Sequence, residues 1–220
     1  MKPTADPAAV CGLPESALSP ENQLAMPTSA PPAPWECRAR AVLWVQRATR
    51  PRFTWLGAAT GLAVAGFVEY LDSPVGRYHE VLAGSLVRTG LIPRVQVPFI
   101  AVDSLASVAA GRINWALPKT MASFEMDLEA GSARAEGEGW SVTVQPVRPG
   151  QGWRLRLPIR LRFSATGPLG NYRTSLRASG RLVRVRTAVD GETLTGWLGS
   201  GTRLAVVLTG RLRIQPPSGR

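Results

Sequence analysis

Polar and apolar residues alternate with a period of two along most of this chain, and that rhythm predicts strands. Residues 36–47, ECRARAVLWVQR, set Ala39, Ala41, Leu43 and Val45 against polar or larger neighbours. Residues 62–70 and 78–87 read as two further strands, and Asp72-Ser73-Pro74-Val75-Gly76 between them has turn composition, so the pair is expected to be antiparallel. Residues 95–102 form another strand. The rhythm then breaks. Residues 104–113 read as a helix, with Asp103 or Ser104 as its cap and Leu105, Val108 and Ala109 as a short apolar stripe. Pro118 stops it. Strands resume at 123–128, 140–147, 153–163, 172–187 and 204–214, with Pro149-Gly150 and Asp190-Gly191 as turns. No repeat of fixed period occurs. Many strands around one short helix predict an α+β, mostly β chain built as an antiparallel barrel or sandwich.

The first 34 residues follow no such rhythm and hold eight of the 19 prolines. Residues 1–30 are therefore expected to be a disordered leader, with one domain over 31–220. Cys11 and Cys37 match no metal or redox spacing, which points to a reducing compartment. The longest apolar run, residues 56–68, is too short to span a bilayer, and no secretory signal is visible. A cytoplasmic protein without membrane contact is the expectation. His79 is the sole histidine, so neither a zinc site nor a serine triad has its parts.

Charge is uneven. Of the net +11, residues 1–150 contribute nothing, with 13 basic and 13 acidic side chains; residues 151–220 hold 13 arginines against Asp190 and Glu192. Arg154/Arg156, Arg160/Arg162, Arg184/Arg186 and Arg211/Arg213 are each two apart, so each pair shares one strand face, opposite Leu155, Leu161, Val185 and Leu212. An outer barrel face or a subunit contact in a homo-oligomer explains this pattern. A nucleic-acid surface is disfavoured, because no recognisable module is present and no aromatics interleave the arginines.

Of 26 basic side chains only Lys2 and Lys119 are lysine. Lysine can become a neutral amine nucleophile and arginine cannot, so Lys119 stands out. It ends the stretch Val102-Asp103-Ser104-Leu105-Ala106-Ser107-Val108-Ala109-Ala110-Gly111-Arg112-Ile113-Asn114-Trp115-Ala116-Leu117-Pro118-Lys119. This stretch resembles the active-site segment of the acetoacetate decarboxylase family. There an acidic residue opens a short helix, Gly-Arg follows, and an apolar residue, Pro and the Schiff-base lysine complete the pattern. Pro34-Trp35 with Arg40, and Tyr70-Leu71-Asp72-Ser73, resemble two further family tracts, with Asp72 where the family places a catalytic glutamate.

The resemblance implies a β-barrel or cone-like fold with one active-site helix. It also implies a Schiff-base lyase acting on a small keto acid, with Lys119, Arg40 and Asp72 as catalytic candidates. Arg112, Trp115, Met121 and Phe124 are the substrate-binding candidates. The imine supplies its own electron sink, so no cofactor is required. A lysine of ordinary pKa near 10.4 is almost wholly charged at pH 7, and bringing it near neutrality takes about 4–5 kcal/mol. Apolar surroundings and nearby cations both act in that direction, and acetoacetate decarboxylase is the standard instance of such a lysine.

Departures and alternatives stand beside this reading. Thr120 occupies the place of the family's second lysine, Ile113 replaces a common glutamate, and no second pocket glutamate is evident upstream of Tyr70. Aldol or dehydration chemistry and a catalytically dead acid-binding barrel are both open on these grounds. Lys119 equally fits a surface lysine after a turn. Arg112 fits a helix C-terminal cation, Arg40 a solvated strand residue, and Asp72 a plain turn residue. His79 and Glu80, adjacent on a strand, are expected on opposite faces.

Overall fold

Strand β1 (Trp35–Arg47) buries Trp35, Cys37, Ala39 and Ala41 on one face and Val42, Trp44 and Gln46 on the other. It is thus shared by two cores. The computed structural model describes residues 7–48, 58–89, 92–148 and 157–218. After β1 come β2 (Ala58–Asp72), β3 (Tyr78–Thr89) and β4 (Ile92–Val102), each antiparallel to the one before. The β2–β3 turn is fixed by Ser73, whose Oγ donates to the Gly76 carbonyl at 2.6 Å and accepts from Val75 N at 3.2 Å. Gly76 there has φ 86°, a left-handed conformation that glycine adopts without a Cβ penalty.

Later strands are β5 (Lys119–Met121), β6 (Ser123–Asp127), β7 (Ser132–Gly137), β8 (Trp140–Pro146), β9 (Leu157–Gly167), β10 (Gly170–Asp190) and β11 (Gly201–Ile214). Strand β10 has 21 residues and pairs in turn with β9, β11 and β8. Because β11 also pairs with β1, and β4 meets β9, strands β1, β2, β3, β4, β9, β10 and β11 close a ring. The expected barrel-like, mostly β architecture is what forms. Two details were not anticipated: the short strands β5 and β7, and a β9 that runs on to Gly167, past the expected end at 163. Trp153, Arg154, Leu155 and Arg156 lie outside the described residues. The other arginine pairs, Arg160/Arg162, Arg184/Arg186 and Arg211/Arg213, are exposed; Val185 is buried and Leu212 half-buried as the alternation requires, whereas Leu161 is exposed as well.

One core holds Cys37, Tyr70, Tyr78, Val102, Tyr172 and Leu176 together with Val108, Ala110 and Trp115 of helix α2 (Leu105–Trp115). The second, on the opposite face, packs Val42, Trp44, Phe67 and Phe99 under Val142, Val144 and Trp140 of β8. Ser104 caps α2 by accepting from Ser107 N at 3.2 Å. The helix ends at Ala116 in the left-handed conformation, its N–H satisfied by the Arg112 carbonyl at 3.1 Å. Among the described residues no helix is long and apolar enough to cross a membrane.

The disordered leader expected over residues 1–30 is corrected by the described part of that segment. Residues 7–26 form two 3₁₀ turns (Pro7–Ala9 and Pro14–Ser16) and a further helix, α1 (Pro20–Ala25). Leu13 and Leu18 insert into the two cores, and Leu13 N donates to Pro98 O at 2.8 Å. The Glu15 carboxylate accepts from the backbone N–H of Thr193 (2.6 Å) and Leu194 (3.0 Å) and from the Thr193 hydroxyl. Composition misleads here because prolines lower the entropy lost on ordering, so a few apolar and polar anchors suffice.

Candidate active site

The segment from α2 to β5 places the lysine. Strand β5 runs parallel to β4 with Lys119 opposite Ile100, and Arg112 Nε donates to the Lys119 carbonyl at 2.8 Å. The Lys119 side chain then passes along α2 at Gly111. A Cβ built on Gly111 would lie 2.6, 2.8 and 3.0 Å from Cδ, Cε and Cγ of Lys119, so a glycine is what lets the side chain through.

At its end, Lys119 Nζ donates to Glu80 Oε2 at 2.7 Å and to Ser107 Oγ at 2.9 Å, and it lies 5.1 Å from the centre of the Tyr78 ring. The Lys119 and Glu80 side chains are 6% and 3% exposed, so the amine is enclosed. Glu80 sits two residues beyond Tyr78 on β3, on the same face. Tyr70 pairs across to Tyr78, and their rings stack with centroids 4.2 Å apart. The Tyr70 hydroxyl donates to Glu80 Oε1 at 3.4 Å. Burial, reinforced by the Glu80 charge, pushes the Tyr70, Tyr78 and Tyr172 phenols above their ordinary range. They therefore stay protonated. Burial also pushes the Cys37 thiol up to about 12; Lys119 opposes that shift and Glu80 and Asp72 add to it.

The arrangement offers a dry amine, a carboxylate within one proton-transfer distance, and neutral hydroxyls around them. Chemically it can move a proton between Nζ and Oε2 without solvent.

Not every residue singled out in the sequence arrives here. Arg40 is on the β1 face of Val42 and Trp44, away from Cys37 and Ala39. It pairs with Glu69 at 3.4 Å and Glu129 at 3.0 Å. Strand parity thus sets Arg40 on the face away from the core that holds Lys119. Asp72 is exposed at the end of β2, opposite Arg38. Arg112 is buried, and its Nη1 donates to the carbonyls of Pro7 (2.9 Å) and Val10 (3.3 Å). In place of a carboxylate clamp it is a tie between leader, helix and β5, and burial lowers its pKa. Trp115 meets Trp35 edge-on at 5.2 Å and donates to Gln215 O at 2.9 Å, in the same core as Tyr78. Met121 packs on that core, whereas Phe124 packs on the opposite one, 5.9 Å from His79. Thr120 turns away and donates to Ala17 O at 2.7 Å.

Glu80 and Ser107 are the site residues that sequence reasoning missed. Each left a trace. Glu80 interrupts an otherwise aromatic and apolar face at Tyr78 and Leu82, and Ser107 lies four residues before Gly111, one helical turn away on the same face. His79 lies on the face opposite Glu80, as expected, with Nδ1 2.7 Å from Asp103 Oδ2.

The ring of strands, with a buried lysine on the short strand β5 that follows α2, defines an acetoacetate decarboxylase-like fold. A sequence-family model of acetoacetate decarboxylase matches residues 51–144. Solved structures share the fold at low identity. The acetoacetate decarboxylase of Legionella pneumophila has a TM-score of 0.56 at 14% identity, covering 90% of this chain and 93% of that one. The enduracididine biosynthesis enzyme MppR complexed with pyruvate has 0.55 at 15%, covering 95% of each chain. An acetoacetate decarboxylase-like enzyme from Sphingomonas wittichii RW1 has 0.55 at 14%, covering 87% of this chain and 94% of that one. No curated protein sequence matches. The chain therefore shares the acetoacetate decarboxylase fold, and part of it, residues 51–144, matches that family's sequence model.

Proposed function

We propose that the protein is a carbon–carbon lyase that forms a Schiff base between Lys119 and a keto acid. The observation that carries this reading is the enclosed Lys119–Glu80 pair, 2.7 Å apart. One proton moves from Nζ to Glu80, leaving a neutral amine and a carboxylic acid. The amine attacks the ketone carbon. Glu80 returns the proton to the departing oxygen, a second proton comes from the nitrogen, and water leaves as the iminium forms. For a β-keto acid, the electrons of the carbon–carboxylate bond then flow to the iminium nitrogen and carbon dioxide departs. The resulting enamine takes a proton on carbon, and water hydrolyses the imine to ketone and free lysine. Ser107, accepting from Nζ, holds the amine in place. When an α-keto acid forms the iminium instead, Glu80 takes a proton from the neighbouring carbon to give an enamine with the carboxylate retained, and that enamine serves aldol or dehydration chemistry, so Thr120 in place of a second lysine does not disable the scheme. No cofactor is needed.

Incubation with keto acids in 18O-labelled water tests it, because imine formation and hydrolysis exchange the carbonyl oxygen whatever reaction follows. Exchange that is lost in Lys119→Arg supports the enzyme. Absence of exchange over a panel of β- and α-keto acids leaves a non-catalytic acid-binding barrel.

A further inference from the structure

Strand register draws an apolar row from solvent to Cys37 in the core that holds Tyr70 and Tyr78. Leu161 lies opposite Leu176, Leu176 opposite Leu212, and Leu212 opposite Cys37, one transverse row over four strands. The face is the one that carries the lysine core, since Cys37, Leu176 and Leu212 belong to it with Tyr70 and Tyr78. Leu161 is 52% exposed, Leu176 9% and Cys37 4%, with Leu212 half-buried between the last two. The next row begins at Phe163, 40% exposed.

These residues wall an open cleft of about 1810 Å³, whose other side includes Leu86 and Val95. The cleft exists because the ring is barely closed there: among the described residues β4 and β9 meet in a single parallel bridge, Val95 to Ala165. Arg160, Arg162, Arg211 and Arg213 also line it and give it a positive field. A four-carbon acid bound at Lys119 would leave this apolar row in water. A flat protein partner covers Leu161 and Phe163 but cannot follow the row inward to Cys37; a slender chain can.

We infer that the site takes a keto acid with a long apolar chain, its carbonyl at Lys119 and its chain laid along Leu212, Leu176, Leu161 and Phe163. This rests on the lysine reading above. The arginines draw the anion in, and the row selects chain length.

Two measurements test it. In a series from 3-oxobutanoate to 3-oxodecanoate, kcat/KM rises about fourfold per added methylene until the row is filled. Decanoate, which cannot form an imine, binds wild type and Lys119→Arg alike by calorimetry, and Leu161→Ser and Phe163→Ser each weaken it severalfold. Both residues are substantially exposed, so these variants keep the fold. A flat chain-length series, or decanoate binding indifferent to both serine variants, overturns the inference while leaving Lys119 chemistry intact. Decanoate binding without carbonyl exchange by any acid would instead sink the lysine reading and keep the apolar row. A chain that turns monomeric in Leu161→Ser, with decanoate affinity unchanged, makes the row a subunit contact and overturns the inference as well.

Discussion

Replacing Glu80 by glutamine removes one negative charge and almost nothing else. The amide keeps the volume and still accepts from Tyr70. Lys119 Nζ, 2.7 Å away and enclosed, loses its counter-charge. At that distance, with an effective dielectric of about 20, the gross attraction is about 6 kcal/mol. Desolvation of two ions costs several kcal/mol each, so the pair adds little net stability. Its loss is different, because the desolvation of the remaining ion is no longer offset. Glu80→Gln is therefore expected to destabilise the fold by about 3–5 kcal/mol at neutral pH. The discount for exposed pairs does not apply at 6% and 3% exposure. Adding Lys119→Met removes the stranded ion, and the double variant should recover to within about 1–2 kcal/mol of wild type. Urea unfolding of the four proteins, with matched m-values, gives the cycle. A Glu80→Gln loss below about 1 kcal/mol, or strictly additive single effects, would refute an enclosed ion pair.

Three further outcomes follow from the same geometry. Gly111→Ala drives a methyl into the Lys119 stem, so carbonyl exchange should be lost while stability falls by about 1–3 kcal/mol, read by exchange assay and urea midpoint. Leu13→Ala should cost about 2–5 kcal/mol if the leader is packed as described, and near zero if it is not. Burial alone would raise the Glu15 carboxyl, yet the Thr193 hydroxyl and the Thr193 and Leu194 N–H groups outweigh it and hold it below 4.5. Its stabilisation is therefore full above the unfolded value and fades as pH falls through the lower folded one. The stability gap between wild type and Glu15→Gln, measured by urea midpoints from pH 6 to pH 3, should shrink on the acid side; a constant gap contradicts this.

Local signals carried much of this fold. The cap at Ser104, the stop at Pro118 and the turn at Ser73–Gly76 each act within a few residues, so the helix and the β2–β3 hairpin were readable in advance. Lys119 was conspicuous through its rarity and its flanks. Strand parity, also local, already placed Arg40 opposite Ala39 and Ala41, and only the family likeness drew it toward the lysine. The rest depends on contacts distant in the chain. Glu80 becomes a site residue because β3 lies beside β4, which brings it to Lys119, 39 residues on. Arg112 becomes a tie because the leader, 105 residues before it, returns to offer Pro7 O. Composition describes how a free segment would behave, and it does not register anchors supplied from elsewhere.

The most direct measurement is the intact mass of the protein after borohydride reduction in the presence of a β-keto acid. The account predicts an increment equal to the reduced imine of the acid or of its decarboxylated ketone, carried by the peptide that contains Lys119 and missing from Lys119→Arg. An unmodified mass across short and long acids, or an adduct at any other amine, would contradict it.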